Sequence, residues 1–262
     1  MSREDERVTQ GTLVGSANVL CSLGRAPARA ALRAVLEHRP DLVGLQEWRL
    51  SRAAVLRETG TVEIRMTRRA VVTLAPTNPS AGYHWLMSWG DCPVGVRADR
   101  FEVVGCRTRV LGWLGPADPG SRPMSVAPPR VATVALLRDR FRDPLVALVN
   151  FHLVPGVQAG GRYRDDRPLL AARHRAEVRR VERLVEEQAA LGHVVYAVGD
   201  SNYDGLRLPG LTSAWQGHEG DAGTLGSRKV DDVHGPGPAT RVTLVSTASD
   251  HKAVLAERQD LR

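Results

Sequence analysis

Four short apolar runs, each stopping at isolated polar or ionisable side chains, limit what this chain can become. Val194-Val195-Tyr196-Ala197-Val198 ends at Gly199-Asp200-Ser201-Asn202, and Leu42-Val43-Gly44-Leu45 ends at Gln46-Glu47. Leu145-Val146-Ala147-Leu148-Val149 ends at Asn150-Phe151-His152, and Val242-Thr243-Leu244-Val245 leads through Ser246 to Ser249-Asp250-His251. Short runs rich in β-branched residues and bounded by turn formers read as buried strands. Gly199 lets the backbone turn, and Asp200 and Asn202, two apart, can point the same way at the rim of a sheet. Gly-Asp-x-Asn is also ordinary turn chemistry, in which Asx side chains cap their own backbone. Several strands converging on Glu, His, Asp, Asn and Asp-His are hard to explain as packing.

The rest of the chain supplies the frame for such a sheet. A strand over Leu13–Leu20 passes Asn18, a helix is expected over Ala28–Glu37 from Ala31, Leu32, Val35 and Leu36, and Pro40 closes it before the strand that delivers Glu47. Further strands are expected at Val62–Met66, Ala70–Leu74, Gly95–Val96, Phe101–Cys106 and Val131–Leu137, opened by Arg130. Their alternation suggests antiparallel pairing. Tyr83, His84, Trp85, Trp89 and Trp113 read as core edge, with a base-stacking surface as the alternative. The Pro- and Gly-rich stretch Gly115–Pro129 reads as an exposed loop. Gly160–Arg167 reads as a basic loop just past His152, either solvated or phosphate-steering. Leu169–Leu191 is the clearest helix, with Val178, Val181, Leu184 and Val185 on one face and Gly192 at its end. The last strands are Arg241–Ser246 and Ala253–Glu257.

Nothing in 262 residues forces a division, so one domain over 1–262 is expected, residues 1–10 being flexible, and as a monomer. No apolar stretch approaches the roughly 20 residues of a membrane span. The charged start Met1–Arg7 carries no apolar signal core, so a cytoplasmic location is expected. Cys21, Cys92 and Cys106 lack metal-site or disulfide spacing and read as buried free thiols. A net charge of +7 favours a polyanionic partner, nucleic acid first.

Asn18 in Ala-Asn-Val, Gln46-Glu47, Asn150-Phe151-His152, Gly199-Asp200-Ser201-Asn202, Val230-Asp231 and Ser249-Asp250-His251 resemble, in order and spacing, the motifs of the endonuclease/exonuclease/phosphatase superfamily typified by pancreatic deoxyribonuclease. The resemblance spans nearly the whole chain, and six weak motifs in the correct order make a specific signal. It implies a four-layer α/β/β/α sandwich of two mixed β-sheets flanked by helices, with a site at one end that binds Mg²⁺, or Mn²⁺ in its place. By that resemblance Glu47 is the main metal ligand and Asp250 a second one, in keeping with the oxygen preference of Mg²⁺. Asp200 orients or deprotonates the attacking water, and Asn202 and Asn18 hydrogen-bond around it and the phosphate. His251 sits against the scissile phosphate, held by Asp231, and His152 donates to a phosphate oxygen. The implied reaction is in-line hydrolysis of a phosphodiester, with nucleic acid as the expected substrate. A phosphomonoesterase, a lipid phosphodiesterase and a non-catalytic nucleic-acid- or protein-binding member are the alternatives.

The pattern departs from the family in two places. Ser201 stands where an apolar or aromatic residue is usual, and Asp232-Val233-His234-Gly235 replaces the apolar strand that commonly follows Asp231. Asp231 is assigned over Asp232 because it follows an apolar residue. His152 resembles the deoxyribonuclease, sphingomyelinase and inositol-phosphatase branches, where apurinic endonucleases carry tyrosine. Arg130 is explained by its place at the start of a strand, and His38, His84, His174, His193, His218 and His234 read as structural.

Overall fold

The computed structural model describes residues 11–65, 70–87, 89–218, 220 and 222–259. In chain order they form β1 (Thr12–Asn18), α1 (Arg25–Leu36), β2 (Leu42–Gln46), α2 (Ala53–Leu56), β3 (Gly60–Arg65), β4 (Val71–Leu74), β5 (Tyr83–Met87) and β6 (Val94–Arg97). There follow β7 (Phe101–Gly112), β8 (Gly115–Pro116), β9 (Val126–Ala127), β10 (Arg130–Asp139), β11 (Val146–His152), β12 (Gln158–Ala159) and β13 (Arg162–Tyr163). The chain continues through α3 (Pro168–Ala190), β14 (Val194–Asp200), β15 (Thr212–Ser213), β16 (Asp231–Gly235), β17 (Ala239–Val245) and β18 (Ala253–Arg258).

Eight strands make one sheet in the order β17, β18, β1, β2, β6, β5, β3, β4, and six make a second in the order β15, β16, β14, β11, β10, β7. Both are mixed. The pairs β1/β2, β3/β5 and β11/β14 are parallel and their neighbours antiparallel.

Three apolar layers separate four layers of structure. On α1, Ala28, Ala31, Leu32 and Val35 recur at helical spacing and pack on Val43 and Leu45 of the first sheet. Between the sheets, Val14, Leu42, Val94 and Val254 meet Ala135, Leu148, Tyr196, Val198 and Val233. On the far side Val181, Leu184 and Val185 of α3 cover Val134, Ala147, Val149, Val195 and Ala197. Each of the valines and leucines among them, taken fully out of water, contributes roughly 1.5–3 kcal/mol. The result is the expected α/β/β/α sandwich.

Local chemistry explains the helix boundaries. Arg39 adopts φ +53° after α1, and Pro40 lacks the N–H to continue it. Pro168 opens α3, and the carboxylate of Asp118 accepts from the N–H groups of Leu169 and Leu170 at 3.0 and 2.9 Å. Gly192, at φ +77°, lets the chain leave that helix for β14.

Several local expectations are corrected. Tyr83 and Trp85 belong to strand β5 and are buried, whereas Trp89 and Trp113 are exposed. β7 runs to Gly112, well beyond Cys106, and β1 stops at Asn18. The stretch 115–129 carries the small β8/β9 ladder, and 160–167 includes β13. Asp232-Val233-His234-Gly235 does form a strand, β16, despite its polarity. Of the cysteines only Cys92 is buried; Cys21 and Cys106 are partly exposed. Residues 1–10 and Met66 lie outside the described residues.

Candidate active site

The two-residue period of the strands decides where the polar groups go. On β14, Val195 and Ala197 face α3 while Tyr196 and Val198 face the other sheet, so Asp200 also lies on the inter-sheet side. The same count from Leu148 brings Asn150 and His152 inward, from Val14 it brings Ser16 and Asn18, and from Val233 it brings Asp231. Register then aligns their ends. Asn18 pairs with Gln46, His152 with Asp200, and Asp200 with Asp231 on the antiparallel β16. One end of the inter-sheet layer is therefore polar.

The apolar core gives way to this end through buried amides. Gln46 Nε2 donates to Asn150 Oδ1 at 2.6 Å, and Asn150 Nδ2 donates to the carbonyls of Leu45 and Pro93, both at 2.8 Å. Gly44 lets the sheets approach there, because a Cβ on it would lie 2.4 Å from a methyl of Val198 and 2.7 Å from the Asn150 amide.

Above that floor stand two carboxylate–imidazole pairs. His251 Nδ1 lies 2.7 Å from Asp231 Oδ2, and His152 Nδ1 lies 3.1 Å from Asp91 Oδ2. Asp200 sits within reach of both pairs. Its Oδ2 is 3.8 Å from His152 Nε2, and it presents a carboxylate oxygen within 4.8 Å of ligand atoms of both Asp231 and His251. Asn18 Nδ2 donates to Asp200 Oδ2 at 2.9 Å and to Glu47 Oε1 at 3.4 Å. Glu47 Oε2 accepts from the Cys21 N–H at 2.9 Å, and Oε1 lies 4.0 Å from His152 Nε2.

The turn chemistry expected around Asn202 is present as well. Its N–H donates to Asp200 Oδ1 at 2.7 Å, its backbone takes φ +53°, and its Nδ2 donates to the Leu153 carbonyl at 3.1 Å. Asp231 meets His251 because consecutive strand residues face opposite ways. Asp232 turns instead to Ser213 Oγ at 2.5 Å and the Ala214 N–H at 3.1 Å. Asp250 is exposed, with Ser249 Oγ donating to it at 3.2 Å, and it stands outside the packed group. Its loop is tied to the site through Ser249 Oγ, which accepts from the Leu20 N–H at 3.1 Å.

Two members of the constellation escape sequence reasoning. Asp91 comes from the loop between β5 and β6, which has no motif of its own. Arg130, read as a strand opener, is buried with Nη1 2.9 Å from His152 Nδ1, 3.3 Å from Nε2 and 3.6 Å from Asp91 Oδ2. If Nδ1–H donates to Asp91, Nε2 is left as an acceptor for Arg130. A buried, charged residue opening a strand that neighbours His152 is the signal that could have found it.

Burial and neighbouring charges set the protonation of these groups. Burial disfavours a charge on His251, but the hydrogen bond and charge of Asp231, with Asp200 and Asp250 nearby, raise its pKa to about 9. Burial and the charge of Asp200 push Asp231 up to about 6, while His251 holds it down. At neutral pH the pair is imidazolium and carboxylate. Burial opposes ionisation of Glu47, yet the Cys21 N–H, His152 and Asn18 lower its pKa. Asp91 is likewise buried and is held well below the usual carboxylate range by His152 and Arg130.

The donor set suits a hard divalent cation. Glu47 is an ionised carboxylate at the partly exposed side of the group, and Asn18 Oδ1 is buried beside it without a hydrogen-bond partner. Oxygen donors of this kind match Mg²⁺ or Mn²⁺. Asp200, Asp231 and His251 form a second cluster that could hold a metal ion. There the imidazole is protonated at neutral pH, which disfavours it as a ligand.

No family model matches the sequence, and no curated protein matches it. Solved structures do match. TDP2 of D. rerio, crystallised with a single-strand DNA product, superposes with a TM-score of 0.65 at 15% identity over 94% of this chain and 98% of its own. An endonuclease/exonuclease/phosphatase family protein of Bacteroides thetaiotaomicron gives 0.62 at 15% identity over 95% and 97%. A mannosyl-6-phosphatase of the same organism gives 0.62 at 16% identity over 94% and 98%. Likeness at such low identity and nearly full coverage is likeness of fold, and this chain has the endonuclease/exonuclease/phosphatase, deoxyribonuclease-I-like fold.

Proposed function

We propose that this protein is a divalent-metal-dependent phosphoesterase that hydrolyses phosphodiester bonds in nucleic acid by in-line attack of water. The observation that carries the reading is Asp200 standing within reach of two carboxylate-paired imidazoles, with the ionised Glu47 at the open side. Glu47 would hold a Mg²⁺ or Mn²⁺ ion, with Asn18 Oδ1 and the exposed Asp250 as further oxygen donors, and the ion would supply Lewis-acid stabilisation of charge on the phosphate.

The chain's own residues then divide the work. Asp200, fixed by Asn18 and the Asn202 N–H, orients water and takes its proton as the oxygen bonds to phosphorus. His251, kept protonated by Asp231, faces the phosphate and counters its growing charge as the bond to the leaving oxygen breaks. Arg130 brings a fixed charge to the same oxygens. His152, oriented by Asp91 and bonded to Arg130, holds that guanidinium in place beside the phosphate.

Three observations favour nucleic acid: the net charge of +7, an arginine in the site, and a neighbour of the same fold crystallised with DNA. A phosphomonoester is the second reading, favoured by the neighbour named as a mannosyl-6-phosphatase. The test is Mg²⁺-dependent hydrolysis of single-stranded DNA, structured RNA, a bis-aryl phosphodiester and a sugar phosphate. Asp200→Asn and His251→Asn are assayed beside the wild type. Cleavage of nucleic acid by wild type, lowered about 10²–10⁴-fold in each variant, is expected. Turnover of the sugar phosphate alone selects the second reading, and no turnover by folded, metal-loaded protein overturns both.

A further inference from the structure

Immediately beyond His152 the chain turns through 155–158, and three arginines from distant parts of the sequence lean on this turn and on its neighbour Asn202. Arg122 Nη2 donates to the Pro155 carbonyl at 2.9 Å, and Arg167 Nη1 donates to the Gly156 carbonyl at 3.1 Å. Arg228 Nη2 donates to Gln158 Oε1 and to the Asn202 carbonyl, both at 3.1 Å. All four acceptors are neutral. Many arginines elsewhere are paired with carboxylates, as in Arg29–Glu58, Arg100–Asp139, Arg164–Asp166 and Arg173–Glu177, and others, such as Arg52 and Arg258, are spent on several carbonyls of the fold.

A guanidinium carries five N–H donors in a planar fork, so one hydrogen bond to a backbone carbonyl orients the group and leaves most of its donors unspent. Arg122 Nε is buried with no partner. Burial and the charges of Arg130, Arg167 and Arg173 lower the pKa of Arg122, while Glu47 raises it, so Arg122 feels the charges of both the candidate active site and Arg167. Among the described residues none of the three forms an ion pair with a carboxylate, and the like charges of Arg122 and Arg167 repel one another. A bound polyanion removes that repulsion.

We propose that Arg122, Arg167 and Arg228 form a phosphate-binding lane that runs from the candidate active site along the 155–158 turn and grips phosphates flanking the scissile one. The occupant is a nucleic-acid strand, and an isolated phosphate ester is too short to use it. The assignment of flanking phosphates rests on the phosphodiesterase reading, whereas binding of the strand is measured separately from it.

The experiment is equilibrium binding of a fluorescent single-stranded oligonucleotide in EDTA, which prevents metal-dependent cleavage, at a series of salt concentrations. The proteins are wild type, Arg122→Ala/Arg167→Ala, Arg122→Lys/Arg167→Lys and Arg228→Gln, each checked for an unchanged circular dichroism spectrum and melting transition. Each phosphate contact on a single strand contributes about 0.7 to the slope of log K against log salt. The double alanine variant is expected to lose about 1.4 from that slope and Arg228→Gln about 0.7, while the double lysine variant keeps it. An unchanged slope in folded alanine and glutamine variants overturns the lane. It is also overturned if the double alanine variant loses only its affinity for phosphatidylserine vesicles, which would assign the arginines to a membrane surface. Loss of slope in a protein that hydrolyses no phosphoester would leave the lane standing and remove the enzymatic reading.

Discussion

Asp231 and Asp232 are neighbours in sequence and opposites in consequence. Asp231 shares a 2.7 Å hydrogen bond with His251, and its charge is what keeps that imidazole protonated against burial. Asp231→Asn is expected to leave His251 neutral at pH 7 and to slow hydrolysis about 10²–10⁴-fold. Imidazole ¹⁵N shifts would report the lost proton separately from turnover. Asp232 instead accepts from Ser213, the Ala214 N–H and the Val233 N–H, all of them structural contacts. Asp232→Asn is expected to cost about 1–3 kcal/mol of stability and to spare the state of His251, measured by denaturant unfolding and the same shifts. Such a distinction was legible only as a choice between two carboxylates, because it depends on a strand whose polar composition concealed it. Asp91 and Arg130 were harder still. Asp91 comes from a loop without periodicity or motif and Arg130 from the first position of a strand, and only the folded sheet brings them to His152.

Secondary-structure elements were legible where apolar period and terminators agreed, as in α1, α3, β2, β11 and β14. β5 was not, because Tyr83 and Trp85 lie between glycines and exposed aromatics that resemble loop sequence. Strand ends were the informative part of the sequence, since two-residue alternation carries the inward face of each strand past the apolar core to Asn18, His152 and Asp200. This alternation works only if the sheets close tightly at Gly44. Gly44→Ala puts a methyl into Val198 and the Asn150 amide, and is expected to cost about 1–3 kcal/mol by urea unfolding. The helix α3 contributes a second contact of this kind. His174 is fully buried there, with Nε2 2.7 Å from the Ser201 carbonyl and Nδ1 2.9 Å from the Tyr163 hydroxyl, so Nε2–H donates and Nδ1 accepts. Burial lowers its pKa below the ordinary 6.5. The unfolded chain therefore takes up the proton first, so this stabilisation is complete above pH 6.5 and is lost as the pH falls from there toward the folded value. His174→Gln is expected to flatten the acid side of a stability–pH curve by at most about 1.4 kcal/mol per pH unit. Some slope remains, because burial also lowers the pKa of His84.

Across the whole molecule, one end of the inter-sheet layer is left charged. The opposite end is closed by Arg97 and Arg100 paired with Asp41 and Asp139, so its charges are compensated within the fold. At the candidate active site Glu47, Asp91 and Asp231 are ionised at neutral pH around only a few cations, and Asn18 Oδ1 is left without a partner. A divalent cation held by Glu47 and Asn18 would bind the folded state alone, because these two residues are adjacent only when β1 and β2 pair. Stability must then rise with metal concentration as RT ln(1 + [M]/Kd), about 2.7 kcal/mol at one hundred times Kd. Mg²⁺ or Mn²⁺ is therefore expected to raise the melting temperature of wild type progressively. Glu47→Gln, which keeps the shape and removes the charge, should melt at the same temperature with and without metal. A variant that still responded fully would move the cation to the Asp200, Asp231 and His251 cluster, where Asp200→Asn in turn should abolish the response.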